Sequence, residues 1–344
     1  MKMKKLLSTL YITTPEIYLA LDGENVVILQ ENSEIGRAPL HNLDSIVTFG
    51  YSGASPALMG KCVKKGIPIS FMSRNGKFLA RIEGEVNGNV LLRRDQYRIA
   101  DDDRSLEIAR NMIAAKLYNS KNVLNRTMRD HGMRIDRELF GRKSEFLQSQ
   151  TKNALNAVNK DSLRGIEGEG ASVYFSVFDD MILQQKKDFY FHTRNKRPPL
   201  DNVNAMLSFA YTLTAGMCAS ALEAVGLDPY VGFLHTDRPG RRSLALDLME
   251  EFRAPMCDRF VLTLINKKLI NCSDFIQNED GAVSMTDTGR KKFITSWQNR
   301  KNDEIKHSFL GEKMQWGMLP YVQALLLSRY IRGDLDSYPP FFWK

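Results

Sequence analysis

The chain holds only four cysteines, Cys62, Cys218, Cys257 and Cys272, and no two of them form a CxxC pair. That spacing argues against a thiolate zinc site or a disulfide framework, so the thiols read as buried filler in a reducing, cytoplasmic compartment. No uninterrupted apolar run approaches the ~18 residues that a membrane helix needs, and no membrane partner is expected. Internal repeats and low-complexity tracts are missing. No serine or cysteine is matched with a second suitably placed histidine, which argues against a covalent nucleophile. The opening MKMKKLLSTLYITT is basic and then apolar, as an export signal would be. Ser8, Thr9, Thr13 and Thr14 interrupt it, and no small-residue cleavage pattern precedes Asp22-Gly23, so it reads as a first strand.

What is present is the mix of a globular protein with a real core: 344 residues, 43% hydrophobic and 26% charged, enough for two domains. The net charge of +8 points to a polyanionic partner. Residues 1–95 read as a β-rich domain, with apolar segments at Leu6–Thr13, Ile17–Leu21, Val26–Gln30, Ser45–Phe49, Ile67–Met72 and Phe78–Ile82. Asp22-Gly23 and Asn75-Gly76 carry hairpin chemistry, and Ala57–Lys65 reads as one short helix stopped by Gly66. Around Arg93–Asp103 the pattern changes, with Asp103 placed to cap a helix from Arg104. Residues 96–344 then read as a larger all-α domain: Ala109, Ile113 and Leu117 form a helical row, Leu147–Ala157 and Val173–Leu183 follow the same period, and Val203–Ala224 reads as a central buried helix. The fold class expected is α+β, a small N-terminal β domain followed by a helical one.

The segment LRGIEGEGASVYF (Leu163–Phe175) is glycine-rich for helical surroundings. Each glycine costs about 1 kcal/mol relative to alanine inside a helix, so three of them suggest close approach of a backbone or a ligand. With a helix beginning near Glu167, that residue shares a stripe with Ala171, Tyr174 and Phe178. Glu167 and Glu169 also read as ordinary first-turn acids, which the helix dipole favours.

GFLHTDRPGRRSLALDLMEEFRAP (Gly232–Pro255) is the most informative stretch. His235 follows an apolar pair, and Ser243 can cap a helix running through Phe252. Apolar residues cover most of that helix, leaving Asp247, Glu250 and Glu251 in one arc. Such an arc is tolerated when it is solvated or when a cation binds. Such a histidine alone is more often a satisfied core residue than a ligand, and such an arc is usually a wet face. Arg238, Arg241 and Arg242 stand between them, and guanidinium groups grip phosphate in fork geometry. Carboxylates, an imidazole and no thiolate suit Mg²⁺ or Mn²⁺. Basic clusters at Arg126–Lys143, Lys186-Lys187, Arg194–Arg197 and Arg290–Lys292 suggest a track for duplex backbone. His192 beside Arg194 is a candidate DNA contact, while His41, His131 and His307 carry no functional signal.

The residues resemble those of a known family. IEG around Glu167 with the aromatic pair that follows, GFLH ending at His235, and SLALDLMEEFR through Arg253 resemble the motifs of the CRISPR-associated protein one family, the integrase and nuclease of CRISPR adaptation. The resemblance extends to LYITTPEIYLALDGENVVIL, RPPLDNVNAMLSFAY and the ending YIRGDLDSYPPFFWK; the opening and the PPFFW tail resemble the type I-C subtype.

The resemblance implies a metal ion held by Glu167, His235 and Glu250, with Asp247 in support. Many relatives have Asp where this chain has Glu250, which leaves open whether Asp247 shares the ligation. It implies a homodimer assembled with CRISPR-associated protein two, the β domain serving dimerisation and docking, and double-stranded DNA as substrate, both foreign fragments and the CRISPR repeat. Docking of a further adaptation nuclease subunit is left open. The implied chemistry is transesterification by a 3′-hydroxyl, with hydrolysis when water attacks instead. Arg238, Arg241 and Arg242 are then candidates for DNA phosphates. Tyr174 is a candidate to position the attacking end, and equally a core packing residue.

Overall fold

The computed structural model describes residues 8–14, 16–49, 53–72, 78–82 and 90–344; the Asn75-Gly76 turn lies outside them. The β-rich part carries β1 (Ser8–Ile12), β2 (Ile17–Asp22), β3 (Asn25–Gln30), β4 (Ser33–Pro39), β5 (Leu43–Phe49), β6 (Gly53–Ala54), α1 (Pro56–Lys65), β7 (Ile69–Met72) and β8 (Phe78–Ile82). Two four-stranded sheets result, ordered β1-β5-β7-β8 and β4-β3-β2-β6. Asp22-Gly23 turns the β2–β3 hairpin, with Gly23 at φ +56° and Asp22 opposite Asn25. β4 had no place among the expected strands, since SEIGRAP lacks an apolar alternation; it is an edge strand with Ile35 half exposed. Ser55 caps α1 through the Leu58 amide, and Gly66 ends it in the left-handed region. Leu19, Val26, Leu40, Ile46, Leu58, Cys62 and Ile69 close a small core between the sheets and α1.

The helical part follows with α2 (Val90–Ala100), α3 (Arg104–His131), α4 (Arg137–Leu155), α5 (Lys160–Phe175), α6 (Asn202–Ala224), α7 (Ser243–Met249), a π-helical turn (Arg253–Asp258) and α8 (Arg259–Asn266). After these come β9 (Phe275–Gln277), β10 (Val283–Met285), α9 (Asp287–Asn302), β11 (Glu304–Lys306), β12 (Lys313–Gln315) and α10 (Leu319–Ile331). The fold is α+β: an N-terminal β region and a largely helical remainder. The expectation of an all-α remainder is corrected by two antiparallel hairpins, β9–β10 and β11–β12; Gly281 and Gly311, both at positive φ, lie in their connections. Position 95, expected to end the β domain, lies within α2. Val173–Leu183 is not one helix: α5 stops at Phe175 and a 3₁₀ turn covers Asp179–Met181.

α3 is 28 residues long, about 42 Å at 1.5 Å per residue, and packs against α4, α5, α7 and the π turn. Asp103 does not cap it; Asp102 accepts from the Arg104 amide instead, at 2.8 Å. α6 is apolar and long enough to cross a membrane by length and composition, but 67% of its apolar window is buried among the other elements. Cys62, Cys218 and Cys257 are buried as expected, whereas Cys272 is exposed. The C-terminal stretch folds back over the helices, burying Tyr338, Phe341 and Trp343.

Candidate metal centre

α5 and the end of α7 meet the middle of α3 at Lys116, and the loop that carries His235 is tied to α5 and α7. α5 starts at Lys160 behind an Asn159 capping box, so Glu167 sits two turns inside the helix rather than at its start. Of the three glycines, Gly170 explains itself by packing: a Cβ there would lie 2.2 Å from Leu117 Cδ2, so α5 approaches α3 closely only because the side chain is absent. Gly165 and Gly168 face open space. One turn before Glu167, Arg164 donates to the Leu234 carbonyl at 3.0 Å, tying α5 to the loop that carries His235.

That loop is held by one carboxylate. Asp247 Oδ2 accepts from the amides of Phe233 (2.7 Å) and Leu234 (3.0 Å), and Oδ1 accepts from the His235 amide (3.0 Å). Asp247 Oδ1 also lies 2.5 Å from His235 Nδ1, which fixes the ring and leaves Nε2 without a hydrogen bond among the described residues. Gly232 makes the approach possible, since a Cβ there would lie 2.9 Å from Asp247 Oδ2 and 2.7 Å from Ser243 Cβ.

The acidic arc is corrected on two points. The helix does not run through Phe252: α7 begins at Ser243, without a side-chain cap, and ends at Met249, and the chain loosens into the π turn. The arc is also not wet. Asp247, Glu250 and Glu251 are 1%, 4% and 0% exposed, and each faces a different set of partners. Glu250 Oε1 lies 2.9 Å from Arg253 Nη2, and Oε2 lies 2.7 Å from Lys116 Nζ, outside hydrogen-bond geometry. Burial would push the Glu250 carboxyl up, but the charges of Arg253, Lys116 and His235 outweigh it and hold it down at about 2. Glu251 turns away to the C-terminal stretch, accepting from Tyr338 Oη, Gln323 Nε2 (2.8 Å) and the Phe341 amide (2.7 Å).

Lys116, which no sequence motif singled out, is the centre of this arrangement. Its ammonium pairs with Glu167 and with Glu250 at once. Among the described residues no three His, Cys, Asp or Glu side chains stand as a ready ligand group; the Lys116 ammonium pairs with both carboxylates. The donors nevertheless fit a divalent cation. Glu250 Oε2 is buried without a hydrogen bond, Glu167 is held by Lys116 alone among the described residues, and His235 Nε2 is open. Two carboxylates and an imidazole form a set of the kind that binds Mg²⁺ or Mn²⁺.

Arg238 is exposed on the loop between His235 and α7, with Arg241 and Arg242 partly exposed at its end. Tyr174 is 2% exposed, packed edge-on against Phe175 and Phe178, with Asp258 near its hydroxyl; the structure places it in the core. One arginine in each of two basic clusters also turns inward, while Lys196, Arg197 and Lys291 stay exposed. Arg194 binds Asn204 Oδ1 and Ser208 Oγ, and Arg290, 3% exposed, pairs with Asp287. His307 is buried against Gln323, which also holds Glu251.

An α+β chain whose helical part brings two buried-side carboxylates and a carboxylate-braced imidazole beside exposed arginines has the parts of a metal-dependent phosphodiester enzyme. Residues 10–299 match the family described as CRISPR associated protein Cas1, and the chain belongs to that family. It is 48% identical over 343 residues to the CRISPR-associated endonuclease Cas1 1 of Chlorobaculum tepidum, covering 99% of this chain and all of that one. Among solved structures it shares its fold with a casposase bound to integration product (TM-score 0.83, 24% identity, 98% of this chain and 95% of that one). A Cas6-RT-Cas1–Cas2 complex chain gives the same TM-score at 19% identity, over all of this chain and 37% of that one.

Proposed function

We propose that the chain inserts short DNA fragments into a CRISPR repeat array, using Mg²⁺ or Mn²⁺ held by Glu167, Glu250 and His235 Nε2. The observation that carries this reading is the convergence of Glu167 and Glu250 on one buried positive charge, that of Lys116, beside an imidazole braced for ligation. A divalent ion bound there supplies Lewis-acid polarisation of a phosphoryl oxygen and acidifies the attacking hydroxyl.

The chain's own groups do the rest. Asp247, with both oxygens occupied by amides and the imidazole, orients His235 rather than acting as a ligand. Arg253 keeps Glu250 ionised in a buried setting. Lys116, once displaced from the carboxylates, is a cation within reach of the transferring phosphate. Arg238, Arg241 and Arg242 grip flanking phosphates on the exposed side of His235. In the reaction the fragment's 3′-oxygen bonds to phosphorus while the bond from phosphorus to the repeat strand's 3′-oxygen breaks. The proton lost by the attacker is balanced by the one taken up by the released 3′-hydroxyl.

Residues 1–95 are assigned to dimerisation and docking of CRISPR-associated protein two, and the β4 edge strand, with Ile35 half exposed, offers unpaired backbone for such a contact. The likeness to a Cas6-RT-Cas1–Cas2 complex supports this assembly, and the likeness to a casposase bound to integration product supports this chemistry. Buried thiols without disulfides suit the cytoplasm, and the opening and tail motifs suit the type I-C subtype.

The test is strand transfer of fragments into a repeat-bearing plasmid, with the partner and Mn²⁺ present, comparing wild type with His235→Ala. Joined products that disappear in the variant are expected. Hydrolysis alone from the wild type would overturn the integrase reading.

A further inference from the structure

A basic concavity lies along α3, six to thirteen residues beyond Lys116. Its volume is about 320 Å³, and Asn122, Asn125, Arg126, Arg129, Trp343 and Lys344 line it. Steps of three and four residues connect Lys116, Asn119, Asn122, Arg126 and Arg129, so they share one side of the helix. The C-terminal stretch lies along that side: Asn119 accepts from the Trp343 amide at 2.7 Å and donates to the Phe341 carbonyl at 2.9 Å, and Asn122 donates to the Trp343 carbonyl.

Positive charge gathers here with too few acids. Arg126 and Arg129 share the single carboxylate of Asp130, at 3.1 and 3.0 Å. Arg259 lies 4.4 Å from the Trp343 ring centroid and Arg126 5.8 Å. Among the described residues no hydrogen bond or ion pair reaches the Arg259 guanidinium. Burial, then the charges of Arg126 and Arg300, push Arg259 down to about 9, the signature of a cation that lacks its anion. Stacking on the indole uses the guanidinium face and leaves the N–H edges free to donate.

We infer that this pocket seats the phosphodiester backbone of nucleic acid, gripped by Arg126 and Arg129, with Arg259 against Trp343 adding positive charge behind them. A nucleic acid is favoured over a small anion because the cavity continues onto exposed guanidiniums, the Arg126 and Arg129 side chains being 43% and 69% accessible. Ten residues of α3 span about 15 Å, or about four base steps at 3.4 Å, so one strand can rest here while a nearby phosphate occupies the metal centre. The inference rests on the DNA-processing reading above.

The test measures binding of the full chain to a labelled duplex with single-stranded 3′ ends, in EDTA, across a salt series. Arg126→Gln/Arg129→Gln is expected to lower the log–log salt slope by about 1 to 2, at about 0.9 per phosphate neutralised. The control is Lys61→Gln/Lys65→Gln, which likewise removes two cations paired to one acid, Glu24, and is expected to leave the slope unchanged. If the double arginine variant fails to fold, Arg129→Gln alone carries the test, with a drop of about 0.9. An unchanged slope, or equal drops in both doubles, overturns the proposal. So does inorganic phosphate, at constant ionic strength, binding wild type but not the arginine variant while leaving DNA binding by both unchanged, which would mark a small-anion site. If wild type shows no salt-dependent DNA binding at all, the proposed function itself fails. A normal wild-type slope that the arginine variant retains removes only this pocket.

Discussion

Lys116 Nζ lies 2.7 Å from Glu250 Oε2 while also pairing with Glu167, so one ammonium holds together two acids that come from α5 and from the end of α7. On the proposed reading, a divalent metal would compete with this cation for the same oxygens. Lys116→Met is therefore expected to bind Mn²⁺ about tenfold more tightly by titration calorimetry. Its metal-free form should lose roughly 2–3 kcal/mol in denaturant unfolding, less than the 3–5 kcal/mol of a fully orphaned buried charge because Arg253 remains. Unchanged metal affinity would remove the competition argument.

Asp247 is expected to act through His235. Asp247→Asn keeps the size but exchanges an acceptor for an amino group that faces amide donors. Metal affinity should fall about 10- to 100-fold, the usual cost of losing such a brace, with DNA binding in EDTA unchanged. Parallel loss of DNA binding would show instead that the whole loop had collapsed.

Asp258 supplies a pH test away from the carboxylate pair. Burial raises it to about 6, although the Tyr211 hydroxyl at 2.6 Å and the Arg253 charge oppose the rise. The folded protein keeps this proton up to about pH 6, whereas the unfolded chain releases it near the ordinary 3.8. The group's contribution to stability therefore weakens as pH rises between those values and is constant above, a change of about 3 kcal/mol for about two units. Asp258→Asn cannot ionise, so its stability relative to wild type should improve by up to that amount from pH 4 to 6.5. A difference that stays flat with pH would refute the assignment.

The C-terminal stretch is fastened at Glu251, whose two oxygens accept from Tyr338, Gln323 and the Phe341 amide. Tyr338→Phe removes one of these donors and leaves a buried carboxylate oxygen short of a partner, at a cost of about 1–3 kcal/mol. Limited proteolysis should then cut beyond Ile331 faster than in wild type. Equal rates would mean that packing of Phe341 and Trp343 alone holds the segment.

How far the sequence discloses this site can be read residue by residue. The family motifs bring out Glu167, His235, Asp247 and Glu250, because each sits in a short, locally distinctive run. The partition of the acids does not show in the pattern: a helix projected through Phe252 puts three acids in one arc, whereas α7 stops at Met249 and, in the turn before the π-helical segment, Glu250 meets Arg253 and Lys116 while Glu251 meets the C-terminal stretch. Lys116 carries a signal that goes unread. It interrupts the apolar face of α3 between Ile113 and Leu117, and a charge there requires a partner. The inward turn of Arg194 and Arg290 depends on partners distant in the chain or on packing, which a count of charges does not contain. The β region is legible where strands alternate, and β4 is not because its residues are polar and its pairing comes from β3.

Gly232 tests whether the brace on His235 depends on backbone approach. An added Cβ would meet Ser243 Cβ at 2.7 Å, Asp247 Oδ2 at 2.9 Å and the Ser243 carbonyl carbon at 3.0 Å. Two of these neighbours belong to the start of α7 and cannot swing aside, so the loop or the helix must shift. Gly232→Ala should destabilise the fold by about 1–3 kcal/mol, as overpacking does, and should weaken Mn²⁺ binding by moving the loop off Asp247. The comparison is Gly165→Ala on α5, where a Cβ meets nothing within 4 Å. That change should raise helix stability by up to about 1 kcal/mol and leave metal affinity unaltered, because it adds propensity without touching the carboxylates. Metal affinity that survives Gly232→Ala despite the lost stability would show that His235 reaches its working orientation without the Asp247 contacts.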